Sequence, residues 1–549
     1  MVFYPCEVLE VTPGQRVQTQ KQSPKLVDEL IRKAQMLPSQ LKEEVGLERS
    51  RYELGEGNAY LRAFGVLLEN DLREVSAKVL PPPLIQYASG VADANAQTGQ
   101  RQWKIGTHRF FLPAKMPSHW IVAVFENSLS CDTTTQFVNA FMSAAERRGL
   151  NLGSPRTYDR MQRIDAATIY ERVKYWRAND VKFVLFIVGG ECTMERSVMK
   201  EMETVFHVVT QMVRTKTAMK AIGDRGAQMV LDNLIMKTNL KLGGINHGIA
   251  PARDFHPGYI EKFIFPRGRM FIGLDMQSPG SPFMGGSNEF STSPTVVGIT
   301  STLGNPADMR GTYWYQPASE KKMIRLPDFL ADAVGLYEQK EGFLPTEIVI
   351  YRGGVSDGEI PFVVRDELPL IKKAIESIDG YNPRLLVILA QKKSGMRLMP
   401  KYITPSGRAQ DENVMPGTSV SNGVVSANLT EFILVAQQAL KGTAKPTKYT
   451  VLCDEGGERF TCEQLEHMTH QLCYLHGIVT LPVSRPVPLY SAADLVKRGT
   501  ANWKAREYRH NSSPTVSSGI GQMDPDYFDP LVEDRLRWMP VFLDQKYWA

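Results

Sequence analysis

Apolar residues along the chain recur in two periods, and the elements follow from where each period starts and stops. Trp120–Phe125 and Phe183–Val188 are short, uninterrupted apolar runs, the pattern of strands buried on both faces, and the second is closed by Gly189-Gly190. Between them, 133–148 carries apolar residues at helical spacing and stops at Gly149, and 166–177 is a second helix candidate. Two further helices are predicted at 194–213 and 227–239. Strands alternating with helices of this length predict a parallel, Rossmann-like layer over 116–250. No G-x-G-x-x-G follows the strands, so a dinucleotide site is not indicated.

From 251 to 549 the pattern predicts a second, larger α/β domain. Strand candidates lie at 269–275, 296–301, 311–315, 348–350, 385–390 and 449–452, with helices at 326–340 and 361–378 and another through 469–473. Ahead of both domains, 1–14 reads as one strand and a turn with nothing before it to pair with. The stretch 15–115 turns polar, with a charged, helix-like run at 23–45. It then reaches Pro81-Pro82-Pro83, which cannot continue a helix and favours an extended linker.

Composition narrows the class. At 549 residues, 43% of them hydrophobic, the chain can bury a large core in two or more domains, and 22% charged residues exclude a disordered or supercharged protein. Lys plus Arg number 64 against 59 acids, a formal net charge of +5. That balance permits nucleic acid without pointing to it, because a binding channel depends on where the charge sits. The cysteines, at 6, 131, 192, 453, 462 and 473, form no C-x-x-C pair, which argues against a zinc site or disulfide framework and fits a reducing compartment. No apolar run approaches the roughly 20 residues that cross a bilayer. Residues 1–15 lack the layout of a signal peptide, so the reading is a cytoplasmic or nuclear protein without membrane contact.

Three places carry candidate chemistry. The strand at 348–350 runs through Tyr351-Arg352 into Gly353-Gly354-Val355-Ser356-Asp357-Gly358, a strand end opening onto a glycine turn, where open α/β sheets put their sites. Asp275 ends another strand in the same way. Lys237 and Lys241 lie four apart on one face of a helix end, where two ammonium groups repel unless an anion sits between them. Alone, such a pair is more often a solvated face than a phosphate site. Lys392, Lys393 and Arg397 follow a strand end and suit either backbone contacts to a nucleic acid or ordinary exposed charge.

The stretch Tyr351 to Gly358 resembles the Tyr-Arg-Asp-Gly-Val-Ser-Glu-Gly signature of eukaryotic Argonaute PIWI domains. Lys241-Leu242-Gly243-Gly244-Ile245-Asn246 resembles the family's boundary motif between its MID and PIWI domains. Leu80-Pro81-Pro82-Pro83 with Trp103-Lys104 resembles its second linker. Thr469-His470-Gln471-Leu472-Cys473, Ala493-Asp494-Leu495-Val496 and the final Tyr547-Trp548-Ala549 also resemble PIWI segments. The resemblance implies a Rossmann-like MID domain (116–250) and an RNase H-like PIWI domain (251–549) after linker 2 (15–115). It further implies that 1–14 is the remnant of a PAZ-like strand and that the N-terminal and PAZ domains are lacking.

By position, the resemblance implies that Gln211, Lys237 and Lys241 hold the 5′ phosphate of a guide RNA, with the terminal carboxylate of Ala549 nearby. Where the family places a tyrosine and a lysine, an ungapped reading gives Glu195 and Met199. Arg196 and Lys200, one residue on, are the candidates to replace them. For cleavage, the family's carboxylates hold divalent metal ions. Asp275 and Asp494 match the first and last ligands, Glu320 is the acid at the mobile-loop position in a register that favours Lys321 or Lys322 equally, and Gly353 stands in place of the middle aspartate. Asp357 and Glu359 are several residues displaced, and a Mg²⁺ ligand must come within about 2.0–2.1 Å. The expectation is therefore a guide-loaded silencing effector that pairs its guide with complementary target RNA and acts through silencing-complex proteins without cutting. In it Asp275 and Asp494 are remnants or hold a single Mg²⁺. The alternative is a Mg²⁺-dependent, guide-directed endoribonuclease with an atypical metal site.

Overall fold

A computed structural model describes residues 22–512 and 546–549, apart from 56, 70, 95–100, 116, 118, 126–127, 163–164, 191–192, 224, 252–263, 280–292 and 319. The strand expected at 1–14 lies outside the described residues. The charged run that follows forms two helices, α1 (Pro24–Ala34) and α2 (Pro38–Arg51), rather than one. Ser23 caps the first, its Oγ accepting the Leu26 N–H at 3.2 Å. Pro38 cannot continue that helix but fits the first turn of the next. After α3 (Ala59–Ala63), the expected linker contributes strands β1 (Lys78–Val79), β2 (Leu84–Tyr87) and β3 (Gly90–Asp93).

The Rossmann-like layer follows. Its elements are β4 (Trp120–Phe125), α4 (Cys131–Arg147), β5 (Thr157–Met161), α5 (Ala166–Ala178) and β6 (Phe183–Val188), then α6 (Thr193–Phe206), β7 (Val209–Arg214), α7 (Thr215–Ala221) and α8 (Ala227–Lys241). The strands lie in the order β5-β4-β6-β7, all parallel. Every residue of β4 and β6 is buried, as continuous apolar strands between two helical layers must be. One expectation fails: the helix predicted over 194–213 stops at Phe206, His207 turns at φ 55°, and 209–214 is a strand. The helical stripe of Val198, Met199 and Met202 gives way to Val208-Val209, β-branched residues that suit a strand beside β6. Strand β5 escaped notice because its side chains are largely polar and only half-buried.

Strand β8 (Gly248–Ala250) pairs back with β2, and the larger α/β unit begins. Here β9 (Arg269–Gln277), β10 (Thr295–Leu303) and β11 (Asn305–Gln316) form an antiparallel meander, and α9 (Leu326–Glu341) leads to β12 (Glu347–Gly353). A helical stretch, α10 (Ile360–Phe362) through one π-helical turn to α11 (Leu368–Glu376), precedes β13 (Arg384–Gln391). Then come α12 (Ala409–Glu412), β14 (Thr418–Val420), β15 (Glu431–Val435), β16 (Thr447–Glu455), α13 (Cys462–Leu472) and α14 (Val487–Ser512). The sheet order is β1-β14-β15-β16-β13-β12-β9-β10-β11, with β12 parallel to both neighbours, so the linker supplies one edge.

Helix α14 lies directly on this sheet because two strands offer it glycine. A Cβ on Gly273 would stand 2.2 Å from the backbone of Pro488, and one on Gly298 would stand 2.6 Å from the Ala492 carbonyl. The Thr300 hydroxyl donates to the Pro488 carbonyl at 2.6 Å and the Tyr315 hydroxyl to that of Gly499 at 2.8 Å. Further along, Ala505 is buried in one cluster with Val198, Met199 and Met202 of α6, so the helix belongs to both layers. Gly273→Ala is expected to destabilise the protein by at least about 1–3 kcal/mol through overpacking against rigid backbone. Gly335→Ala, in α9 with open space around its Cβ, should stabilise by about 0.5–1 kcal/mol. Thermal unfolding of the two variants should therefore shift in opposite directions.

Candidate nucleic-acid interface

Strands β9 and β12 are parallel neighbours with Arg352 opposite Leu274, so their ends bring Asp275 and Gly353 side by side. A Cβ on Gly353 would lie 3.2 Å from Asp275 Oδ1 and 2.8 Å from Leu489 Cδ1. A side chain at 353 would thus face Asp275, in space that Leu489 now fills. The neighbouring Gly354 turns at φ 76°. Burial pushes the Asp275 carboxyl up from its ordinary range, while Arg485 and Arg352 oppose the shift. The Arg485 guanidinium stands 3.7 Å from Asp275 Oδ2.

The other acids of interest are engaged elsewhere. Asp494, on α14, pairs with Lys497 at 2.9 Å. Glu320 accepts the Lys322 N–H at 3.0 Å within its own turn. Asp357 pairs with Lys448 at 2.8 Å, and Glu359 caps Ser356 through its N–H and hydroxyl. Among the described residues, no three acidic, histidine or cysteine side chains gather as a metal-holding group. Beside Asp275, then, stand a glycine, a leucine and a guanidinium, a donor set that does not fit the two-metal arrangement implied by the resemblance.

Cations do gather there. Lys392 donates to Ser484 Oγ at 2.7 Å, and burial together with Arg485, Lys445 and Lys497 pushes its pKa down. Lys393 is exposed beside it, and Arg397 donates to the carbonyls of Ser394 and Met396, fixing its own loop. Crowded like charges at a strand-end crevice favour a polyanion, whose phosphates would relieve the repulsion.

A second set of cations sits at the end of α8. Lys241, almost wholly buried, donates to the Thr210 carbonyl at 2.7 Å and stands 3.6 Å from Glu203 Oε1. Lys200 reaches the same oxygen at 2.7 Å and Arg498 the other at 2.5 Å, while Arg498 also holds the Tyr547 carbonyl at 2.8 Å. Thr210 donates its N–H at 2.9 Å and its hydroxyl at 2.5 Å to Glu203. Burial pushes the Glu203 carboxyl up, but Lys200, Lys241 and Arg498 outweigh it and hold it below the usual carboxylate range.

Lys237 stands outside this cluster; burial and Arg196 push its pKa down while Asp494 opposes them. The structure therefore brings Lys200 to Lys241 and Arg196 to Lys237, whereas Met199 is buried in the apolar core and Glu195 is only half-buried. Gln211 is buried in β7 beside Thr210. Ala549 lines a small cavity with Leu240, His476, Asp494 and Lys546, so the chain's last residue does lie at the end of α8. Sequence reasoning missed Glu203, Arg485 and Arg498. Glu203 is one acid among several polar residues of an amphipathic helix, and only its spacing of three from Lys200 hints at a pair.

A helical layer on a parallel sheet, joined through α14 to a larger RNase H-like sheet, defines a MID plus PIWI architecture. The Piwi domain family matches residues 183–504, more than half of the chain. Over 508 residues the chain is 26% identical to Argonaute protein wago-1 of Caenorhabditis elegans, covering 91% of this chain and 51% of that protein. Over 525 residues it is 29% identical to the Nuclear RNAi defective-3 protein of the same organism, covering 91% and 48%. Among solved structures, Kluyveromyces polysporus Argonaute with a guide RNA matches with TM-score 0.78 at 19% identity, over 99% of this chain and 64% of that one. Drosophila Piwi matches with TM-score 0.71 at 19% identity, over 86% and 61%. The chain belongs to the eukaryotic Argonaute family, and it spans about half the length of the curated relatives it matches.

The Asp275–Arg485 contact makes a prediction about pH. The folded-state pKa of Asp275 lies above its unfolded value of 3.8, so the folded state holds that proton more tightly, and ionising the group costs stability as pH rises through the interval. Arg485→Gln removes the cation that limits this cost. Its melting-temperature deficit against wild type should be larger near about pH 7.5 than near about pH 5. An equal deficit at both would show that Arg485 does not act through this carboxylate.

Proposed function

We propose that the chain is a small-RNA-guided silencing effector that holds the 5′ end of a guide RNA at the end of α8 and pairs the guide with complementary target RNA without cutting it. The observation that carries this reading is the placement of Lys200, Lys241 and Arg498 around one carboxylate beside the chain's last residues. Lys392, Arg485 and Lys497 crowd the strand-end crevice further along. The first set suits a phosphorylated end and the second a backbone, while base pairing supplies specificity. The solved relative with a guide RNA supports the same reading by its fold. In this reading 116–250 is the MID domain and 251–549 the PIWI domain, and silencing proceeds through protein partners in the cytoplasm or nucleus.

The reading without cutting is supported by Gly353, Leu489 and Arg485, which put a glycine, an apolar side chain and a guanidinium beside Asp275. A single Mg²⁺ at Asp275 would be repelled by the Arg485 guanidinium, 3.7 Å from Oδ2. The competing reading is a Mg²⁺-dependent endoribonuclease with an atypical metal site at Asp275 and Asp494, the second of which pairs with Lys497.

Two measurements test the proposal. RNA copurifying with the protein should be small RNA of defined length, and Lys237→Ala combined with Lys241→Ala should lower the retained amount by about tenfold or more, the loss of one or two charge-assisted contacts. Loaded protein incubated with a labelled complementary target and Mg²⁺ should leave the target whole, and cleavage abolished by Asp275→Ala would overturn the proposal in favour of the endoribonuclease.

A further inference from the structure

We propose that Glu203 is a resident competitor for the guide's 5′ phosphate, a specificity-determining residue that sets how much of guide binding depends on that phosphate. The inference rests on the guide-binding reading of the α8 end.

Glu203 has no exposed side-chain surface, yet it faces three cations, Lys200 at 2.7 Å, Lys241 at 3.6 Å and Arg498 at 2.5 Å. A phosphate arriving at Lys241 therefore meets a lysine already aimed inward, at Glu203 and the Thr210 carbonyl. The carboxylate cannot easily withdraw, because the Thr210 N–H and hydroxyl also hold it, and Lys200 and Lys241 in turn donate to Thr210 oxygens. Nor is Arg498 free to turn outward, since it also carries the Tyr547 carbonyl and so anchors the chain's end. An incoming phosphate thus shares its cations with a fixed negative charge, and the repulsion between the two anions subtracts from binding. Three cationic side chains face this one carboxylate, so the cluster favours a further anion, at a discount set by Glu203. Burial pushes Lys241 well below its ordinary pKa, with Lys200 and Arg498 adding to the shift and Glu203 opposing it.

The test compares guide RNAs of one sequence bearing a 5′ phosphate or a 5′ hydroxyl, measuring the ratio of their affinities. In Glu203→Gln the preference for the phosphate should rise by about tenfold over wild type, the value of one charge-assisted hydrogen bond. Should that variant fail to fold, Glu203→Asp, which keeps the charge but draws it back by one methylene, should raise the ratio by a smaller factor. A ratio that stays level or falls in the folded variant overturns the inference, because a purely structural Glu203 would loosen the cations and weaken the phosphate's contribution. If wild type binds both guides and only the ratio fails to move, the guide-binding reading stands and Glu203's role does not. If wild type binds neither guide, the guide-binding reading fails, and thermal stabilisation by inorganic phosphate decides the rest. A larger upshift for Glu203→Gln than for wild type supports competition, and an equal or smaller one overturns it.

Discussion

The close approach of α14 to the central sheet is the constraint on which the rest depends. Gly273 and Gly298 lack the atoms that would hold the helix off, so its first turns rest on the backbone of β9 and β10. Its start is thereby fixed beside the end of β9, where Asp275 lies, and its middle is carried across to α6. Asp494 and Arg498, one turn apart, consequently serve different neighbourhoods: the carboxylate acts on Lys237, while the guanidinium enters the Glu203 cluster. A side chain on either glycine would press on the backbone of this helix, which packs on both the parallel layer and the larger sheet.

Charge is distributed along that link in two ways. At the end of α8 the cations are buried and gathered on an internal carboxylate; at the strand-end crevice Lys392 and Lys497 lie near Arg485, which faces Asp275, while Lys497 pairs with Asp494. Burying a charge is tolerable only when it is paired and hydrogen-bonded, and Glu203 meets both conditions through three cations and Thr210. The crevice cations are less well paired and more open, so they retain the stronger long-range attraction for a polyanion.

Much of this was legible in the sequence. Strands β4 and β6 are buried on both faces and so announce themselves as continuous apolar runs with correct ends, and Gly189-Gly190 marks where the second stops. Edge strands did not. β5 shows too little apolar character, and β7 follows so closely on α6 that its valines extended the apparent helical stripe. The lysines of α8 were found because charge at helical spacing is a local signal. Glu203, Arg485 and Arg498 were not found because each acquires its meaning from a partner distant in the chain, 38 to 295 residues away where Glu203 is concerned.

The packing at Gly353 is likewise a tertiary matter. A glycine beside Asp275 with nothing packed against it would leave a hole and an unbalanced carboxylate. Here both are absorbed by one short segment: Leu489 fills the space that a Cβ at 353 would need, and Arg485, four residues earlier, supplies the cation at Asp275. The segment is itself pinned, by Thr300 to the Pro488 carbonyl and by the glycines beneath the first turns of α14. An aspartate placed at 353 would meet Leu489 where its side chain must go, with the Arg485 guanidinium beside Asp275. Beside Asp275, therefore, Leu489 packs where a side chain at 353 would go, and the nearby charge is the Arg485 guanidinium.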